Sequence, residues 1–147
     1  MIYAACAILA GATIAIQASM NARLGVLLNS SLVATGIVFF LSCLSVSMAY
    51  MVLPEKPVRP INFGAVPWYL WSGGVLSACG VGMYFFLIPK MGIGSMMSYA
   101  LSGQILFALI SSHYGLFDLP ARHISPLKIA GLFLLIAGIA LINRNPS

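Results

Sequence analysis

Gln17 and Asn21 are two amides four positions apart inside an otherwise apolar run. Residues at that spacing share one face of a helix, so the pair presents donors and acceptors side by side. Gln104 stands mid-way along another apolar run, with Ser98, Ser102 and Gly103 close in sequence, and Tyr84 and Tyr99 add hydroxyl groups within such runs. The chemistry these side chains support is recognition of a ligand through hydrogen bonds. Each also has a structural explanation: polar side chains hold helices together in lipid, and a buried tyrosine usually packs with its hydroxyl satisfied. For Gln17 and Asn21 the two readings weigh equally, because either one relieves the cost of a polar group in the membrane. Gln104 is the single best candidate for substrate contact, since an unpaired amide is hardest to tolerate at mid-span.

Catalysis finds less support. No serine–histidine pairing or metal-ligand set of the required kind is visible, so no enzymatic activity, metal or cofactor is expected. His113 closes an apolar run, and histidine suits proton coupling near neutral pH, although a boundary histidine is more often an interface residue. The only acidic residues, Glu55 and Asp118, fall in hydrophilic interruptions. That leaves no intramembrane carboxylate for holding a cation or relaying protons. Cys6, Cys43 and Cys79 are odd in number, lie in apolar runs and lack CxxC spacing, which reads as small apolar packing residues.

The elements that must position these residues follow from composition. With 61% hydrophobic and 6% charged residues, the chain departs far from the roughly 45–50% apolar and about 25% charged of soluble domains. The membrane is its solvent, and the apolar runs leave no room for a separate soluble domain. Four interruptions divide residues 1–147 into five spans of one transmembrane domain, at about 2–20, 32–53, 68–88, 93–112 and 127–142, each measured against the about 20 apolar residues a crossing needs. The last is short for a full crossing. Ser30 and Ser31 offer an N-cap to the second span, and Pro126 suits the first position of the last helix. Pro54 to Pro67 holds four prolines and reads as an extended loop. A second loop is expected from His113 to Ser125. The first run lacks a basic leader and is expected to stay on the protein.

The net charge of +5 would suit nucleic-acid binding in a soluble protein. Here the basic residues are scattered singly beside the apolar runs, where they act as headgroup anchors, so no nucleic-acid partner is expected. A five-span arrangement puts Lys56, Arg59, Arg122 and Lys128 on one side and Arg23, Lys90 and Arg144 on the other. Four against three is almost no bias, and that bias is what orients a membrane protein; insertion in both orientations follows as an expectation. Small residues recur every four positions, as Ala7, Gly11, Ala15 and Ser19 in the first span and Gly74, Ala78 and Gly82 in the third, a pattern of close helix packing.

The blocks Gln17-Ala18-Ser19-Met20-Asn21-Ala22-Arg23-Leu24-Gly25, Pro89-Lys90-Met91-Gly92, Gly103-Gln104 and His113-Tyr114-Gly115-Leu116-Phe117 together resemble the successive signatures of the YdcZ-like five-helix branch of the drug/metabolite transporter superfamily. The resemblance implies an all-α bundle of five transmembrane helices, one half of an inverted repeat, in the bacterial inner (plasma) membrane. It further implies small-molecule transport, with export as the direction. Substrate-facing roles for Gln17, Asn21 and Gln104 and a boundary or gating role for Arg23 follow by motif. Two departures stand out: Ser112 replaces an acidic residue common before the histidine, and Leu41-Ser42-Cys43-Leu44-Ser45 replaces a glycine-rich stretch of the second span.

A lone five-helix unit needs a partner. Inverted repeats around a midplane site permit alternating access, and an antiparallel homodimer or a paired paralogous subunit would supply the missing half. The competing expectation is a non-transporting membrane subunit whose small-residue stripes pack against a larger partner. The partners expected are membrane lipid, a small-molecule substrate and this second subunit.

Overall fold

The computed structural model describes residues 2–53, 63–118 and 120–144. Five helices account for most of them: α1 (Ile2–Leu27), α2 (Ser31–Val52), α3 (Gly73–Met91), α4 (Ile93–Tyr114) and α5 (Pro126–Ile142). A 3₁₀ turn over Trp68–Ser72 leads directly into α3, and no strand occurs among the described residues. Four helical segments are long and apolar enough to cross a membrane: Ile2–Leu27, Ser31–Val52, Trp68–Met91 and Ile93–Tyr114. α5 has 17 residues, about 25 Å at the helical rise, against a hydrocarbon core of about 30 Å. Lys128 in its first turn and Arg144 just past its end are placed to reach the headgroups from a short helix.

The chain forms two compact units, Met1–Lys90 and Met91–Ser147. In the first, α1 and α2 make a tight helical hairpin. α1 does not stop at Met20, where the apolar run ends, but continues to Leu27. Asparagine and arginine interrupt hydropathy without removing a backbone donor, so Asn21 and Arg23 stay helical. The actual stop is a left-handed residue, Asn29, at φ 51°. Its N–H donates to the Val26 carbonyl at 3.1 Å, and the Ser30 N–H reaches the Gly25 carbonyl at 3.0 Å. That pair of bonds is the Schellman closure, with asparagine in the place glycine more often takes. Ser30 then caps α2, its hydroxyl accepting from the Val33 N–H at 3.2 Å.

This turn predicts its own test. Alanine tolerates the left-handed region poorly, at a cost of about 1–2 kcal/mol. Asn29→Ala should therefore lower the melting midpoint in detergent, while Asn29→Gly should match or exceed the parent. Equal midpoints for all three proteins would contradict the turn.

Packing in this unit runs along a seam of small residues. Ala18, Ala22 and Gly25 of α1 are buried, as are Ala34 and Thr35 of α2. A Cβ built on Gly25 would lie 3.4 Å from Ser31 Cα and 3.7 Å from Ala34 Cβ, which shows how closely the backbones approach. α3 joins at Gly82, where a Cβ would meet Thr35 Oγ1 at 3.3 Å. Thr35 has already turned that hydroxyl back onto the Ser31 carbonyl, at 2.7 Å. Phe85 and Ile88, both buried, continue the same face of α3. Close approach of this kind is what drives helix association where lipid is as apolar as leucine.

α3 runs through Pro89 to Met91 rather than ending at Ile88. Proline deletes one bond to the preceding turn, but the chain turns away only at Gly92, whose φ is 80°. Lys90 folds over the Phe86 ring, 3.5 Å from its centroid. At the other end of the helix, Phe63 stacks on Trp71, an aromatic cluster suited to the headgroup level. Residues 54–62 of the expected proline-rich loop lie outside the described residues, as do Asn145 to Ser147 of the C-terminal stub.

In the second unit α4 and α5 pack together, burying Met96 and Ile139. Asn143, the C-cap of α5, donates from Nδ2 to Ser98 Oγ at 3.0 Å and to the Ile139 carbonyl at 2.8 Å. α4 continues to Tyr114 and ends on Gly115 in the left-handed region. His113 therefore belongs to the last helical turn and not to the loop expected from His113 to Ser125. Phe117 and Asp118 are also left-handed, at φ 60° and 58°. Such conformations cost of order 1–3 kcal/mol and persist only where surroundings impose them. The segment returns to the helix end through the Arg122 N–H, which donates to the Ser112 carbonyl at 2.7 Å. Ser125 then caps α5 at the Lys128 N–H.

Candidate functional site

The amide pair lies on the flank of the α1–α2 seam. Gln17 and Asn21 each precede a buried alanine, Ala18 and Ala22, and one step along a helix turns the side chain by about 100°. The seam thus brings α2 close while leaving both amides at its edge. Asn21 Nδ2 donates to Gln17 Oε1 at 2.6 Å, which satisfies one donor and one acceptor and leaves the rest of both amides for other partners.

Facing them is one side of α2. Gln17 and Asn21 share an open groove of about 420 Å³ with Val38, Leu41, Ser42, Ser45 and Val46. Ser45 donates its hydroxyl to the Leu41 carbonyl at 2.8 Å and keeps its oxygen lone pairs as acceptors. The groove therefore has two amides on one wall, two hydroxyl groups on the other and aliphatic side chains between. Such a surface holds an uncharged or weakly polar molecule by several hydrogen bonds. It offers no carboxylate and no cationic side chain.

Ser42 and Ser45 are not among the site residues that the sequence singles out; there they belong only to the stretch Leu41-Ser42-Cys43-Leu44-Ser45 that replaces a glycine-rich one. Residues 38, 41, 42, 45 and 46 do follow the three-and-four spacing of one helix face, but nothing in the sequence says that this face meets α1. Arg23, one residue past Ala22, is exposed and lies outside this groove. Tyr84, half-buried on α3, does not line it either.

In the second unit the α4 candidates separate. Gln104 and Tyr99 are exposed, and Ser98 is half-buried against Asn143. Six residues on a helix leave Ser98 about 120° from Gln104, and five leave Tyr99 about 140° away. Ser98, with Ser102 donating to its carbonyl at 3.1 Å, serves the α4–α5 contact. Gln104 belongs to a different face.

His113 is half-buried at the end of α4, and its Nδ1 is buried without a hydrogen-bond partner among the described residues. Its ring meets that of His123 edge-on, with centroids 5.9 Å apart. The pairing follows from backbone register, because the Ser112–Arg122 hydrogen bond precedes each histidine by one residue. Asn143, Arg122 and His123 were not singled out as site residues in the sequence, since nothing local says which part of the loop returns to α4.

Long apolar helices, small-residue seams and polar groups on their flanks define a multi-pass membrane protein. The chain matches the family model described as "Putative inner membrane exporter, YdcZ" over residues 2–141, and it belongs to that family. It is accordingly an inner-membrane protein of a transporter family. No curated protein and no solved structure matches it.

Proposed function

We propose that this chain exports an uncharged or weakly charged small molecule by alternating access, working as an antiparallel homodimer in which the Gln17–Asn21 groove forms part of the substrate path. The observation that carries the reading is the groove itself, with Gln17 and Asn21 on one wall and Ser42 and Ser45 on the other. Polar groups at membrane depth face protein or water, and four of them sharing one open groove from two helices suit a pathway. Gln104 adds a third amide on α4, and Arg23 and His113 act at the membrane boundary.

Two further features support a dimer. Alternating access relies on two inverted halves around a common site, and a single five-helix unit supplies one half. The near-even division of basic residues, four against three, gives weak orientational preference, so both halves can come from one sequence. An amide-lined groove open on one side also needs a covering surface, and a second, inverted copy supplies it without a new interface type.

The test is a topology reporter fused after Asn143 and assayed in intact cells. Signal from both sides of the inner membrane is expected. Signal from one side alone would end the antiparallel homodimer and call for a parallel dimer or a separate partner of opposite orientation. The competing subunit reading draws on the small-residue stripe of α1, where nothing lies within 4 Å of a Cβ placed on Gly11. Purification of the chain alone separates the two: a stable, substrate-responsive dimer supports the transporter, and loss of the protein without a larger partner supports the subunit.

A further inference from the structure

A second groove, of about 540 Å³, lies in the unit of α4 and α5, where the segment after Gly115 folds back on the end of α4. Its floor is one face of α4. Phe107 and Ala108 form the part deeper along the span, and Ser111 and Ser112, one turn on, form the part nearer the boundary. Phe117 and Pro120 of the returning segment complete the lining, and Arg122, whose N–H bonds the Ser112 carbonyl, stands at the polar end. Polarity thus rises along the groove toward the membrane boundary, from aromatic and aliphatic carbon to hydroxyls and a guanidinium. A phospholipid has the same gradient, from acyl chain to phosphate.

Charge points the same way. Lys128 donates from Nζ to the His123 carbonyl at 3.3 Å, which brings a second cation to the residue beside Arg122. Asp118 is the one acidic residue between 115 and 128. Arginine matches phosphate oxygens with two parallel hydrogen bonds, and basic pockets between transmembrane helices hold anionic headgroups. The Arg122 N–H bond to Ser112 fixes where that side chain starts. Phe117, in a left-handed conformation that its type disfavours, also lines the groove.

We propose that this groove is a binding site for an anionic phospholipid, with an acyl chain along Phe107 and Phe117 and the phosphate on Arg122. The site does not depend on the export reading, since it involves neither Gln17 nor Asn21 and its test reads binding, not flux. It would tie the α4–α5 connection to the anionic lipid content of the surrounding leaflet.

The experiment uses the full chain, purified in a neutral detergent and titrated with phosphatidylglycerol or phosphatidylcholine of identical acyl chains, with bound lipid counted by native mass spectrometry. Phosphatidylglycerol should bind at least about fivefold tighter, the factor expected for one basic side chain acting on a net negative headgroup. Arg122→Gln should abolish the preference, and Arg122→Lys should retain most of it. Glycerol phosphate, which carries the phosphate without acyl chains, should not compete at equal concentration. Equal binding of the two lipids by the parent protein overturns the proposal and needs no variant to fold. An unchanged preference in Arg122→Gln, or competition by glycerol phosphate, also overturns it, the latter in favour of a soluble anion.

Discussion

Asn21→Leu is expected to lower substrate flux by about fivefold or more while leaving expression, assembly and melting midpoint close to those of the parent. Leucine is close in size to asparagine and belongs in lipid, so the substitution removes hydrogen-bonding capacity without opening a cavity. If the Gln17–Asn21 bond served only α1, its loss would cost about 0.2–0.5 kcal/mol, too little to unfold the protein. If the amide instead held a neighbouring helix, interhelical hydrogen bonds in membranes average about 0.6 kcal/mol, and stability would fall with flux. A substrate contact behaves differently: leaving a desolvated ligand group unpaired costs about 1–3 kcal/mol, roughly fivefold to 150-fold in the step concerned.

Flux and stability therefore have to be measured on the same preparation. Low flux at parental stability supports a groove that binds substrate. Parental flux at parental stability would remove Asn21 from the pathway, and a parallel loss of both would return it to packing. Ser42→Ala sharpens the comparison, because Ser42 reaches the groove from the opposite helix. Combined with Asn21→Leu, it should show coupling larger than about 0.5 kcal/mol only if both residues share a ligand.

What the sequence makes legible divides along physical lines. Hydropathy marks the helices, because a crossing segment must be apolar over nearly its whole length. It misplaces their ends, because ends depend on backbone conformation and not on polarity. Asn21 and Arg23 look like an interruption yet remain helical to Leu27, Pro89 looks like a stop yet sits inside α3, and the actual turns fall at Asn29, Gly92 and Gly115. The same limit applies to the site. Gln17 and Asn21 are visible as a pair, since their relation is fixed within one helix. Ser42 and Ser45 are not, since which face of α2 meets α1 depends on how the hairpin closes. Ser98 illustrates the converse: it neighbours Gln104 in sequence, but helical rotation assigns it to Asn143.

Gly25→Leu should be the most damaging single change in the first unit. Gly25 is buried where α1 hands over to α2, and even a methyl group there would lie 3.4 Å from Ser31 Cα and 3.7 Å from Ala34 Cβ. Alanine fits at ordinary contact distance, and its helix propensity exceeds that of glycine by about 1 kcal/mol, so Gly25→Ala should melt at or above the parent. Leucine adds three more carbons against backbone that cannot move aside as a side chain could. Overpacking of this kind costs about 1–3 kcal/mol, and relief comes only by parting the two helices. The groove has Gln17 and Asn21 on one helix and Ser42 and Ser45 on the other, so parting them would dismantle it and abolish flux along with stability. The graded series of glycine, alanine and leucine thus tests the hairpin and the groove together. A Gly25→Leu protein that melts and transports like the parent would mean that α1 and α2 do not close at this residue, and that Gln17 and Asn21 face something other than α2.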